Sequence, residues 1–235
     1  MRAYKLPILI ALVMASAILM QACTESDPIT SVNQDRIYQI YDARFNADSN
    51  YAYARATFRL ENQNGSYITL TGNNAGVKFN GNTMSEVSVF GIVYYQFGQS
   101  TFPNPYMFVY TDADGNVFQN STSLSGMAIS FQNVPSTISQ SVDNTFNFTS
   151  SVNSGEKVFF NMYFASNDSL VISRVNQTGG SSSFLITSSE LQQLPTGLYY
   201  AQLTRQDQIG LSQQNTVGGV MNRTYVSAKA NFSLQ

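Results

Sequence analysis

Residues 51–61 read Tyr-Ala-Tyr-Ala-Arg-Ala-Thr-Phe-Arg-Leu-Glu, and this stretch decides the fold class. Ala52, Ala54, Ala56, Phe58 and Leu60 fall on one side of a period-two pattern. Tyr51, Tyr53, Arg55, Thr57, Arg59 and Glu61 fall on the other. Successive side chains alternate across a strand, whereas a helix repeats every 3.6 residues. The pattern therefore predicts a β-strand with one face buried and one face wetted.

The same reading extends in both directions. Residues 36–46 are rich in β-formers, and short strands are expected at 67–71 and 76–80, the latter ending in the tight-turn pair Asn80-Gly81. Residues 87–97 predict two strands or one strand bent at Gly91. Segments 106–110 and 116–121 flank a hairpin turn at 111–115. Further strands are expected at 127–131, 145–150, 158–164, 170–173, 183–187 and 198–205, with one helical turn within 188–194. A last strand is expected at 224–234, where Val226, Ala228, Ala230, Phe232 and Leu234 alternate with polar residues. Many short strands separated by turn residues indicate sandwiches or barrels.

Composition removes whole classes of chemistry. The 235 residues contain no His, no Trp and one Cys, and the formal net charge is −2. His-based triads, His-ligated zinc and an internal disulfide are excluded. The charge gives no electrostatic footprint for nucleic acid.

The first 23 residues, MRAYKLPILIALVMASAILMQAC, carry Arg2 and Lys5, then an apolar run, then the lone Cys. These are the parts of a secretory signal; a transmembrane helix, the rival reading, needs about 20 apolar residues. Met20-Gln21-Ala22-Cys23 resembles a bacterial lipobox, in which Ala22 and Cys23 match, Met20 is a tolerated substitute and Gln21 is a departure. The resemblance implies cleavage before Cys23 and acylation of its thiol and new amine with chains such as palmitate. An ordinary secreted protein cut near Ala22 is the alternative. Asp directly after the Cys, the inner-membrane retention signal, is absent, because Thr24-Glu25-Ser26-Asp27 follows. The outer membrane is therefore expected, with cell-surface exposure as a further option.

Leu194-Pro195-Thr196-Gly197-Leu198-Tyr199-Tyr200 resembles the E–F corner of immunoglobulin-like and fibronectin type III-like modules. The resemblance implies that Tyr199 or Tyr200 bonds back to nearby backbone as a tyrosine corner. The expected architecture is all-β: two tandem immunoglobulin-like β-sandwich domains behind a signal peptide and a short tether. The expected bounds are signal peptide 1–22, lipidated Cys23 with a flexible tether through residue 35, first sandwich 36–124 and second sandwich 125–235. One larger sandwich or barrel is the alternative.

Candidate chemistry is sparse. Asp112, Asp114 and Gly115 suggest half of a calcium loop, but the twelfth position is Ser123, and a plain turn is the expectation. The acids Asp42, Asp48, Glu61, Glu86, Asp143, Glu156, Asp168, Glu190 and Asp207 are scattered. A glycosidase would need two of them to converge. Tyr51, Tyr53, Tyr94-Tyr95 and Tyr199-Tyr200 can form a recognition surface or merely pack across strands, the latter being expected. Asn-x-Ser/Thr triplets begin at Asn64, Asn120, Asn147, Asn167, Asn176, Asn222 and Asn231, and Asp168-Ser169-Leu170 resembles a bacterial O-glycosylation triplet.

The functional expectation is a lipid-anchored envelope protein with a non-enzymatic binding or spacer role. Its expected partners are membrane lipid through Cys23 and a protein or glycan, with no metal, cofactor or nucleic acid. The alternatives are an accessory subunit of an outer-membrane assembly and, third, a carboxylate-dependent glycoside hydrolase.

Overall fold

A computed structural model describes residues 26–72 and 74–235; the expected signal peptide and Cys23 lie outside the described residues. In chain order the strands of the first half are β1 (Asp27–Pro28), β2 (Ile37–Asn46), β3 (Tyr51–Leu60), β4 (Ile68–Thr69), β5 (Gly76–Phe79), β6 (Asn82–Thr83), β7 (Ser85–Val89), β8 (Ile92–Gln99), β9 (Tyr106–Thr111) and β10 (Val117–Thr122). The second half contributes β11 (Phe131–Gln132), β12 (Thr137–Ile138), β13 (Asn144–Phe148), β14 (Lys157–Phe164), β15 (Ser169–Asn176), β16 (Ser183–Ile186), the helical turn α1 (Ser188–Leu191), β17 (Gly197–Gly210), β18 (Gly219–Val226) and β19 (Ala230–Leu234).

A single large sheet runs through both halves in the order β12-β19-β17-β18-β2-β3-β8-β7, with β14 on the other edge of β17 and β15 outside it. Two smaller sheets cover it. The sheet β10-β9-β5-β6 closes the first core, and β11-β13-β16 closes the second. Aromatic rings carry both contacts. Tyr41 of β2 stacks on Phe108 of β9 at 4.6 Å, and Phe58 of β3 meets Tyr110 of β9 at 4.4 Å. In the second core Phe160 of β14 packs on Phe146 of β13 at 4.9 Å and on Phe184 of β16 at 5.5 Å. Aromatic pairs at such separations add attraction beyond the area they bury. The fold is all-β, with two sandwich cores on one shared sheet.

The join is made by β17. Its start, Gly197 to Ala201, pairs with β19, and its end, Thr204 to Gly210, pairs with β18. Strand β18 in turn lies parallel to β2, with Asn222 opposite Asp42. A strand from near the end of the chain thus completes the sheet of the first core, and its Met221 is buried there.

Four expectations need correction. Residues 27–35 are not a flexible tether: β1 pairs with β4, Ile29 is fully buried, and Gln34 Nε2 donates to the carbonyls of Ile29 and Val32 while its Oε1 accepts from the Ala113 N–H. The border between residues 124 and 125 does not partition the strands, because β18 pairs with β2 in the shared sheet and buries Met221 in the first core. The strand expected at 224–234 breaks at residues 227–229. There Ser227 is buried, with its N–H on the Leu203 carbonyl and its Oγ accepting the Leu203 N–H, so β18 and β19 pair with separate parts of β17. Finally, 127–131 yields only the short β11, preceded by a 3-10 turn at Ser125–Met127. Of the two options at 87–97, the structure has two strands, β7 and β8, joined by a turn at Phe90-Gly91.

Candidate functional site

The outward side chains of the shared sheet form a row that crosses five strands. Registers place Gln96 of β8 opposite Arg55 of β3, Arg55 opposite Asp42 of β2, Asp42 opposite Asn222 of β18, and Asn222 opposite Gln208 of β17. Hydrogen bonds link the members. Arg55 Nε donates to Asp42 Oδ2 at 2.8 Å, Asn222 Nδ2 donates to Asp42 Oδ1 at 2.8 Å, and Gln208 Nε2 donates to Asn222 Oδ1 at 2.8 Å. At the far end the Tyr53 hydroxyl donates to Gln96 Oε1 at 2.9 Å. The Arg55 guanidinium also lies 5.5 Å from the centre of the Tyr94 ring.

Burial alone would pull the Arg55 pKa down, but the adjacent Asp42 carboxylate outweighs it and holds the pKa above its ordinary value. Burial raises the Tyr53 phenol, so the row presents a neutral hydroxyl at its edge. Two clefts open along the row and share Asp42 and Asn222. One, of about 430 Å³, is also lined by Lys157, Asp207, Gln208 and Arg223. The other, of about 170 Å³, is lined by Arg55, Arg59, Tyr67, Ile92 and Tyr94.

Strands lie roughly 4.8 Å apart, so the row is about 19 Å long. It offers planar amides, a carboxylate, a guanidinium and phenols on an open, nearly charge-balanced face. Such groups can exchange hydrogen bonds with an extended polar chain. Each oxygen of Asp42 accepts one hydrogen bond within the row, Oδ2 from Arg55 and Oδ1 from Asn222.

The other sequence candidates are dispersed and engaged. Asp207 pairs with Arg223, Glu61 with Arg36, Glu190 with Arg174, and Asp48 with Lys229. Glu86 accepts from the Tyr95 hydroxyl, Asp143 from the Ser188 N–H, and Asp168 from the Tyr200 hydroxyl. Glu156 pairs with Arg205 inside the protein. Asp112 Oδ1 accepts the N–H groups of Asp114 and Asn116, and its Oδ2 accepts the Asn116 amide, which is turn chemistry. The corner tyrosine is Tyr199, whose hydroxyl donates to the Pro195 carbonyl at 2.7 Å. Tyr200 instead stacks on Tyr163 at 4.9 Å. Its phenol is pushed up to about 12, first by burial and then by Asp168.

Of the Asn triplets, Asn120 is buried, with Oδ1 accepting the N–H groups of Ser212 and Gln213. Asn222 belongs to the row. Sequence reasoning marked Asn222 only as a triplet and missed Gln96 and Gln208. Single amides in alternating strands give no signal until the registers are known.

No protein-family model matches the chain, and no curated protein matches its sequence. Among solved structures, a chain of a cytokine receptor complex is similar at 10% identity over 82% of this chain and 95% of that one, with a TM-score of 0.32. SGBP-B of the Bacteroides ovatus mixed-linkage glucan utilization locus, in complex with a mixed-linkage heptasaccharide, is 15% identical over 90% of this chain, with a TM-score of 0.24; this chain spans 47% of its length. The Yersinia pseudotuberculosis adhesin InvE is 11% identical over 86% of this chain, which spans 60% of it, with a TM-score of 0.24.

Proposed function

We propose that this chain is a non-catalytic binding module of the bacterial cell envelope, held by lipid on Cys23, that receives an extended glycan along the open face of its shared sheet. The observation that carries the reading is the row Gln96–Arg55–Asp42–Asn222–Gln208. It displays alternating donors and acceptors across five strands, while the scattered acids are already paired or hydrogen-bonded. Planar polar groups beside Tyr94 and Tyr53 suit a polyhydroxyl chain, whose hydroxyls both donate and accept. The outer membrane fits a lipobox with no Asp after the Cys. Interlocking of the two sandwiches through β18 suits a stiff platform.

Titration calorimetry of the mature chain against envelope and host polysaccharides tests the binding site. Saturable heat that Asp42→Ala and Tyr94→Ala each abolish, with the melting temperature little changed, is the expected result. Heat that both variants retain overturns the assignment to this face. The anchor is tested separately: Cys23→Ser should release the protein from the membrane fraction, and undiminished membrane association overturns lipidation.

A further inference from the structure

The hairpin between β7 and β8 carries an aromatic residue where turn chemistry favours a small polar one. Val89 pairs with Ile92, leaving Phe90-Gly91 as a two-residue turn with φ of 51° and 78°. The same protein makes a matching turn at Asn80-Gly81, with φ of 47° and 84°. Asn and Gly are the residues such turns prefer, whereas a bulky side chain at positive φ is strained. Strained positions of this kind cluster at functional sites. Phe90 is 89% exposed, and its neighbours Val89 and Ile92 are 48% and 46% exposed. The tip is therefore a small apolar knob that the described residues leave uncovered.

Its position tells what covers it. Ile92 lines the same cleft as Tyr67 and Gln63. The Tyr67 carbonyl accepts the N–H of Asp27 at 2.8 Å, which fixes the point where the described chain begins. Cys23 lies four residues upstream of Asp27, and four residues span at most about 14 Å. The leash expected from sequence as a tether through residue 35 is thus shortened to these few residues, so the anchor stays within about 14 Å of Asp27, which pairs beside Tyr67, a residue that shares a cleft with Ile92 of the tip hairpin.

We propose that the tip Val89-Phe90-Gly91-Ile92 inserts into the lipid surface beside the Cys23 anchor, fixing the orientation of the sandwiches on the membrane. This rests on the lipid anchor proposed above. An exposed aromatic flanked by aliphatic side chains suits the boundary between headgroups and acyl chains. A second contact near the anchor would hold the row of Asp42 at a set angle to the membrane plane.

The chain contains no Trp, so one substitution supplies a unique fluorophore. Full-length Phe90→Trp lipoprotein, purified from membranes, is reconstituted into vesicles of phosphatidylethanolamine, phosphatidylglycerol and dibrominated phosphatidylcholine. Val89→Trp serves as a second reporter, and Leu185→Trp, exposed on the second sandwich, as the control. Flotation reads the anchor and fluorescence reads the tip. Blue-shifted emission strongly quenched by brominated lipid at positions 89 and 90, but not at 185, is the expected result. Vesicle-bound protein in which the reporters at positions 89 and 90 both emit as in water overturns the tip contact while leaving the anchor standing. Protein that fails to float overturns both.

Discussion

Arg205 and Glu156 meet inside the protein, where Nε and Nη2 of the arginine both donate to Oε2 of the glutamate, at 2.9 and 2.6 Å. The arginine is 1% exposed, and its Nη2 also donates to the Ser151 carbonyl. Burial by itself would push the Glu156 carboxyl up. The Asn153 N–H and amide and the Arg205 guanidinium outweigh it and hold the carboxyl below its ordinary value of 4.5. A depressed carboxyl stabilises the fold above the unfolded-state pKa and loses that contribution as pH falls through the folded one. The wild type is therefore expected to weaken on acidification below about pH 4.5, and Glu156→Gln should flatten that part of the profile. Removing one partner should cost ~3–5 kcal/mol, because the other charge stays buried and unpaired. Arg205→Met combined with Glu156→Leu should cost less than either single change. Urea denaturation at several pH values measures all of these; a double variant whose cost reaches the sum of the two singles would show that the pair is not the unit.

Tyr199→Phe removes a single hydroxyl from a buried ring. The Pro195 carbonyl loses its donor and the ring keeps its packing on Phe232 and Phe164. A loss of ~0.5–1.5 kcal/mol is expected in chemical denaturation, the ordinary net worth of such a bond.

Gly219 begins β18 where it runs beside β2. A Cβ there would sit 2.5 Å from the Gln39 carbonyl oxygen and 2.5 Å from Leu211 Cδ1. The backbone atom cannot swing aside, so Gly219→Ala should cost ~1–3 kcal/mol, in the range of overpacked sites. Both cores should melt together at the lower temperature, since β17 and β18 tie them. Calorimetry showing one core melting at its original temperature would contradict that tie.

Residues 24–127, produced alone, lack β18 and the buried Met221. They should give no cooperative melt, while adding residues 128–235 in trans should restore one. A sharp, independent transition for the fragment would show that the first core is closed without β18.

Calcium should leave the melting temperature unchanged, because both oxygens of Asp112 are occupied by N–H donors. A rise that saturates with calcium would overturn the turn reading.

The fold class was legible from local pattern. Alternation in residues 51–60 becomes β3 with Ala52, Ala54, Ala56 and Phe58 buried, and Tyr199 behaves as the corner motif implies. What stayed hidden depends on distant pairing. The break at 227–229 leaves the alternation undisturbed on both sides, so only the partners of β18 and β19 expose it. Asp42 and Asn222 are 180 residues apart, and nothing near either one marks the other. The ordered start at 27–36 had a faint signal, the apolar Ile29 and Val32 within a polar run, which its composition masked.

Because a ribosome releases its product from the amino end, β2 emerges long before β18. Until residue 226 has been made, the neighbour that β2 will finally acquire does not exist, and one edge of the early sheet stands bare. Such an edge recruits stray strands, and late, non-local closure slows folding. A chain whose synthesis stops before residue 219 keeps that edge of β2 open to stray pairing, whatever the state of its other strands.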